Sequence, residues 1–256
     1  MGFENPVKQK LARGEAVWGT SALVADPFAW QLVLSVGPDF LWMDTEHSPY
    51  GANDFGLVPI LARQQGCMPM IRVAGIDSSQ IKKALDAGAS SIMVPQVNNA
   101  EEARAVVRAA KYPPEGARGV SPGWTFYMNV SWDDYLPHAN KETCVVVQVE
   151  SIEGMENVEA IAAVDGVDVV FAGPMDLSAV FGVIGNTGDA KVQSFLADFP
   201  KRVASQGKAA GVTTGSTSEG QLRYQQGYRF MSFGNLLFSG MTGLAQTLKE
   251  LRDTCK

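Results

Sequence analysis

Charge is scarce in this 256-residue chain: Asp, Glu, Lys and Arg make up 19% of it, below the roughly 25% of an average globular protein. Basic residues are the scarcer sign, 21 Lys and Arg against 27 Asp and Glu, and none forms a run longer than the pairs Lys82-Lys83 and Lys201-Arg202. With a net charge of −6, the chain offers no basic surface for a phosphate backbone, which excludes nucleic acid as a partner. Only three cysteines occur, Cys67, Cys144 and Cys255, far apart and without a CxxC pair. That excludes a disulfide framework and a thiolate zinc site, and the expectation is ordinary thiols in a reducing compartment. No apolar run approaches the roughly 18 residues of a membrane span, and the polar N-terminal stretch has no signal-peptide core. A soluble cytoplasmic protein is therefore expected. Neither GxGxxG nor a Walker sequence is found, which weakens an open nucleotide-binding sheet.

What is present is apolar and well punctuated. Hydrophobic residues account for 46% of the chain, with 26 glycines besides, a composition too rich in core formers for disorder. Eight short β-branched or apolar runs, at 17–21, 40–43, 70–73, 91–94, 144–148, 167–171, 209–213 and 229–232, are bounded by Gly, Pro or Asp. Amphipathic stretches at 79–87, 100–110, 158–163, 192–205 and 218–226 lie between them. Strict alternation of this kind predicts a (β/α)8 TIM barrel, one domain over residues 1–256. One segment, 112–140, breaks the rhythm; it is long and rich in Pro, Gly and aromatics, and long ordered loops are often functional.

In such a barrel, the residues at the carboxyl ends of the strands face the active site. The second run ends in Asp44-Thr45-Glu46-His47 and the third carries Arg72. The fourth ends in Pro95-Gln96, the fifth in Gln148-Val149-Glu150, and the sixth enters Gly173-Pro174-Met175-Asp176. Glu150 and Asp176 are hard oxygen donors, suited to Mg²⁺, Mn²⁺ or Co²⁺, with positions left for water and a bidentate 2-oxo acid. Such an ion would hold the charge of an enolate, Arg72 would add a second positive charge, and His47 is the natural proton carrier. No strand end carries a lysine, so an imine mechanism is disfavoured.

Each residue also has an ordinary explanation when taken singly. Asp176 could cap a helix, Arg72 could pair with a carboxylate, and Asp86, near Gly88, could lie on a solvated helix face. His138 reads as a surface residue. The aromatics Trp124, Phe126, Tyr127, Trp132 and Tyr135 could be loop packing. The Gly-rich stretches 213–216 and 233–235 could bind phosphate or could simply be turns.

The strings DTEHSP (44–49), IKKALDAGA (81–89), KYPPEGARG (111–119), QVE (148–150) and GPMDLS (173–178) together resemble the HpcH/HpaI class II aldolases, in register from about Leu11 to Leu251. The resemblance implies a barrel assembled as a hexamer, a dimer of trimers, that uses a divalent metal to cleave 2-oxo-4-hydroxy acids into pyruvate and an aldehyde. It implies Glu150 and Asp176 as metal ligands, Arg72 as the enolate-stabilising arginine, and His47, beside Asp44, as a base working through water. It further implies Gln148 beside the pyruvate, Gly173, Pro174 and Met175 along its carboxylate, and Asp86 reaching a neighbouring subunit's histidine. The chain departs from the family after Arg118-Gly119, where 120–128 is bulky and aromatic. Trp124 is thus expected over the barrel mouth, or at a subunit contact beside it, on the aldehyde side. The alternatives are an oxaloacetate decarboxylase resembling macrophomate synthase, a citrate-lyase-like enzyme acting on the same enolate, and a catalytically retired barrel serving as a scaffold.

Overall fold

The computed structural model describes residues 3–255. Its eight strands are β1 (Val17–Ser21), β2 (Phe40–Asp44), β3 (Met68–Arg72), β4 (Ser91–Val94), β5 (Cys144–Val149), β6 (Val169–Ala172), β7 (Ala209–Thr214) and β8 (Phe230–Asn235). They close in sequence order into one barrel, every neighbouring pair parallel and β8 returning to β1. This is the expected (β/α)8 architecture, and each run read from the sequence overlaps a strand.

Two helices precede and follow β1: α1 (Pro6–Ala12) and α2 (Pro27–Ser35). Next come α3 (Val58–Gln64), α4 (Ser78–Asp86), α5 (Ala100–Ala110), α6 (Trp132–Glu142), α7 (Ile152–Glu156), α8 (Val158–Ala162), α9 (Pro174–Val180), α10 (Ala190–Ala204), α11 (Thr217–Gln226) and α12 (Leu236–Thr254). Their starts follow local chemistry: Asp26, Asp77, Asn99, Ser131, Ser151 and Ser216 each accept a backbone N–H of the first turn.

Alternation along the strands builds two apolar layers. Phe40, Met70, Met93, Val146, Val169, Phe171 and Phe230 fill the barrel, closed at the amino end by Val7 of α1. Leu41, Met43, Ile71, Ile92, Val147, Val170 and Met231 face outward beneath the helices. The interior is therefore packed below its mouth, and only the residues one layer higher can meet a ligand.

The segment 112–140 does not cover that mouth. It joins the end of α5 to the start of β5, and a helix-to-strand connection in this fold lies at the amino end, opposite the catalytic loops. Trp124, 3% exposed, packs edge-on against Tyr135 and beneath the Arg63 guanidinium, 3.8 Å from its ring centroid. Arg63 itself donates to Gly88 O and Ala89 O, just before β4, and burial pushes it down to about 10. The expected lid is thus corrected: Trp124 is an anchor of the amino-end outer layer, while Phe126 and Tyr127 stay exposed. Trp124→Ala is expected to destabilise the fold by about 3–5 kcal/mol, as large aromatic truncations do, measurable by denaturant unfolding.

Burial pushes the Cys67 and Cys144 thiols up to about 12, leaving them inert. No helix among the described residues is long and apolar enough to cross a membrane.

Candidate active site

Strand register sets the first pair. Asp44 and Arg72 are direct neighbours across β2 and β3, both at the carboxyl end. Arg72 Nε donates to Asp44 Oδ1 at 2.8 Å and Nη2 to Oδ2 at 2.6 Å, a two-pronged pair. Arg72 Nη1 also lies 3.0 Å from Glu46 Oε2. Below it, the ring of Trp42 faces the guanidinium, with 4.7 Å from the guanidinium carbon to the ring centroid. Phe171 meets that ring edge-on at 5.5 Å. Three sides of Arg72 are thus occupied, so its fork has one orientation. Burial alone would raise Asp44, but the hydrogen bonds and charge of Arg72 outweigh it and hold the carboxyl below its usual range.

The second group grows from β5 and β6. Gln148 points inward, 1% exposed, and its Nε2 donates to Glu150 Oε1 at 2.7 Å. The amide of Gln96 donates to Glu150 Oε2 at 3.3 Å, from a residue held at φ +53° after β4. Gly173 follows β6 against the same carboxylate. A Cβ there would stand 2.6 Å from Glu150 Oε1, so only glycine leaves Glu150 in place. Asp176 sits in the first turn of α9, whose N-cap is Gly173; the helix-cap reading of Asp176 therefore fails. Pro174 carries no N–H, so the amides at this turn come from Met175 and Asp176.

The electrostatics are lopsided. Asp44, Glu46, Glu150 and Asp176 converge with one guanidinium. Burial, then Asp176, then Glu46 push Glu150 up to about 7. Burial also raises Glu46, against the pull of Arg72. Gln148 Oε1 is buried with no partner among the described residues. Crowded oxygen donors short of positive charge suit a hard divalent cation. No group of three or more His, Cys, Asp and Glu side chains among the described residues is arranged to hold a metal. The protein's share would be the Glu150–Asp176 pair.

His47 stands at the rim, its side chain 64% exposed and its Nε2 3.6 Å from Glu46 Oε2. Asp86 does not join this cluster in its own chain. It closes α4, at the end remote from the carboxyl ends of the strands, and accepts from Arg118 Nη2 at 2.6 Å. His138 is exposed and stacks on Phe3, as a surface residue should. From the sequence, Glu46 is named only within the string that ends the second run, without a role of its own, and Trp42 is passed over. Position could have found both, since Trp42 lies two residues before Asp44 on the same strand face and Glu46 two residues after it.

Residues 23–237 match the family described as HpcH/HpaI aldolase/citrate lyase. The chain is 39% identical over 252 residues to a hydroxypyruvate/pyruvate aldolase of Pseudomonas aeruginosa, covering 96% of this chain and 93% of that protein. It is 37% identical to a 4-hydroxy-2-oxovalerate aldolase of Rhodococcus jostii (strain RHA1), covering 90% and 91% respectively. Among solved structures, an HpcH/HpaI aldolase from Desulfitobacterium hafniense DCB-2 superposes with a TM-score of 0.89 at 30% identity, over 96% of both chains.

Proposed function

The chain belongs to the HpcH/HpaI aldolase/citrate lyase family, and from that premise we propose that it cleaves and forms the C3–C4 bond of 2-oxo-4-hydroxy acids, with pyruvate and an aldehyde as the partners. One observation carries the reading: the Glu150–Asp176 carboxylates share the barrel mouth with an Arg72 fork locked by Asp44 and Glu46. Glu150 and Asp176 would hold a divalent ion, Mg²⁺, Mn²⁺ or Co²⁺. When bound, it supplies Lewis acidity that polarises the 2-oxo group.

The chain's own residues do the rest. In cleavage, the C4 hydroxyl gives up its proton as the C3–C4 bond breaks, the aldehyde departs, and the electron pair passes through C3 to the C2 oxygen. Arg72 offers that oxygen a fixed, planar pair of donors, and its charge is worth most where water is excluded. His47, exposed at the rim, takes the hydroxyl proton through water and exchanges it with solvent. The amides of Met175 and Asp176 receive the pyruvate carboxylate, and Gln148 orients Glu150 beside it. Protonation at C3 then completes pyruvate. The same chemistry run on oxaloacetate would be a decarboxylation. Assaying pyruvate with a panel of aldehydes, and oxaloacetate alone, separates the two.

We also assign assembly into a homo-oligomer, expected as a dimer of trimers, in which Asp86 of one copy meets His47 of another. The exposure of His47 and the remoteness of Asp86 within one chain support it. We also propose a cytoplasmic location, which three widely spaced cysteines without a CxxC pair support.

Trp42 provides a separate check. Trp42→Leu removes the π face beneath Arg72, whereas Trp42→Phe keeps one, and a desolvated contact of this kind is worth roughly 0.5–2 kcal/mol. The leucine variant is expected to slow pyruvate methyl-proton exchange by about tenfold and the phenylalanine variant far less. Equal losses would contradict the contact with Arg72 as the cause.

A further inference from the structure

Glu150 is held at both of its oxygens. Gln148 Nε2 donates to Oε1 and the backbone amide of Gln96 to Oε2. The plane of the carboxylate is therefore fixed, and each oxygen keeps a lone pair for an ion. The second donor is costly to present. Gln96 stands at φ +53°, a region that crowds the Cβ of an L residue and that only glycine, and at times asparagine or aspartate, visits readily. Something beyond Gln96 must hold it there.

Asn98 provides that hold, and every polar atom it has is engaged. Its Nδ2 donates to Gln96 O at 2.9 Å, and its Oδ1 accepts from the Ser151 hydroxyl. Its own amide donates to Glu102 Oε2 at 2.7 Å, and its carbonyl accepts from Asn157 Nδ2 at 2.9 Å. The amide of Val97 donates to Gln148 O at 2.9 Å. The peptide after Gln96 is thus pinned at both ends, its C=O by Asn98 and its N–H by β5. Ser151 follows Glu150 directly and caps α7, while Asn157 ends that helix. One side chain therefore ties the loop that presents the Gln96 amide to the loop that carries Glu150. There is little slack between them, since a Cβ at Gly154 would stand 3.2 Å from Val97 O.

We infer that Asn98 is a positioning residue for the ion site: it keeps Gln96 in the left-handed conformation with its amide on Glu150 Oε2, and so presets the carboxylate for a divalent ion. Asn98 acts through Gln96 and Ser151, not on the ion or the substrate. The inference rests on the reading of Glu150 as an ion ligand and deepens it. Partners that orient a ligating group are worth roughly 10- to 100-fold in metal affinity. Asn98 stands one hydrogen bond further out, so its loss is expected to cost about tenfold, the lower end of that range.

Titration of the full chain with Mn²⁺, the free ion being read from its EPR signal, tests this in Asn98→Ala, Asn98→Asp and Asn98→Ala with Gln96→Gly. Alanine loses both side-chain bonds. Aspartate keeps the acceptor for Ser151 but turns an oxygen toward Gln96 O where a donor stood, so it should bind Mn²⁺ as weakly as alanine does. Should Asn98→Ala fail to fold, Asn98→Asp with and without Gln96→Gly carries the same comparison. Glycine adopts φ +53° without strain, so adding Gln96→Gly should recover most of the lost affinity. A side chain that merely stabilised the fold would lower the melting temperature and leave the Mn²⁺ affinity where it was. Single variants that bind Mn²⁺ as wild type does would overturn the inference while leaving Glu150 as a ligand. A glycine double variant no better than its parent would overturn it too, since the loss would then not run through the conformation of Gln96. A wild type that bound no Mn²⁺ would instead remove the ion reading of Glu150, and this inference with it.

Discussion

Arg72→Lys is expected to lose about 10²-fold in turnover while keeping its thermal transition. The estimate follows from the usual cost of removing one preorganised donor at a developing oxyanion, 10²–10³ in rate. Asp44 holds two nitrogens of the guanidinium, Glu46 lies against the third and Trp42 supports the plane. A lysine ammonium is a point charge that can satisfy Asp44 or Glu46 but cannot also present a fixed pair of donors to the substrate. Its greater freedom would show as a fall in turnover larger than any rise in KM. Steady-state kinetics with oxaloacetate or an aldol substrate would measure both. A variant that turned over at the wild-type rate would remove Arg72 from the chemistry.

Glu150→Gln should separate stability from activity. In the folded chain, burial and the neighbouring carboxylates hold Glu150 at about 7, against an ordinary value near 4.5. A raised carboxylate weakens the fold as it ionises: the unfolded chain releases this proton near 4.5 and the folded chain keeps it until about 7. Stability in chelator should therefore fall as the pH rises through that window, and the full cost, about 3 kcal/mol, is present above it. Glutamine carries no charge and keeps the shape. In EDTA at pH 8, Glu150→Gln should melt roughly 5–10 °C above wild type, and at pH 4.5 the two should nearly coincide. Adding Mn²⁺ should stabilise wild type and leave the variant almost unmoved, with activity lost. A variant that melted below wild type at pH 8 in EDTA would show that Glu150 is not the strained, charge-crowded group described.

The barrel was legible because its strands announce themselves. Val145, Val146, Val147, Val169 and Val170 are β-branched, successive ones alternate between two buried layers, and Gly, Pro or Asp bounds each run. The rule about strand ends then gathered Asp44, Arg72, Gln148 and Glu150 without any knowledge of their contacts. The place of Trp124 is not legible from composition, which carries no direction: a segment running from α5 into β5 belongs to the amino end whatever it contains. Glu46 lies beyond β2, and nothing local says that Arg72 will reach it. Asp86 illustrates a different limit, since a single chain pairs it with Arg118 and leaves any meeting with His47 to a second copy.

In the proposed reaction this mouth ionises C3 of pyruvate with the help of a divalent ion that Glu150 and Asp176 would hold. Deuterium exchange of the pyruvate methyl group, followed by proton NMR in D₂O, tests it without any choice of aldehyde. Wild type is expected to exchange the methyl protons with Mg²⁺ or Mn²⁺, to stop in EDTA, and to resume when the metal is restored. Exchange that continued undiminished in EDTA, accompanied by borohydride trapping of pyruvate on a lysine, would contradict it.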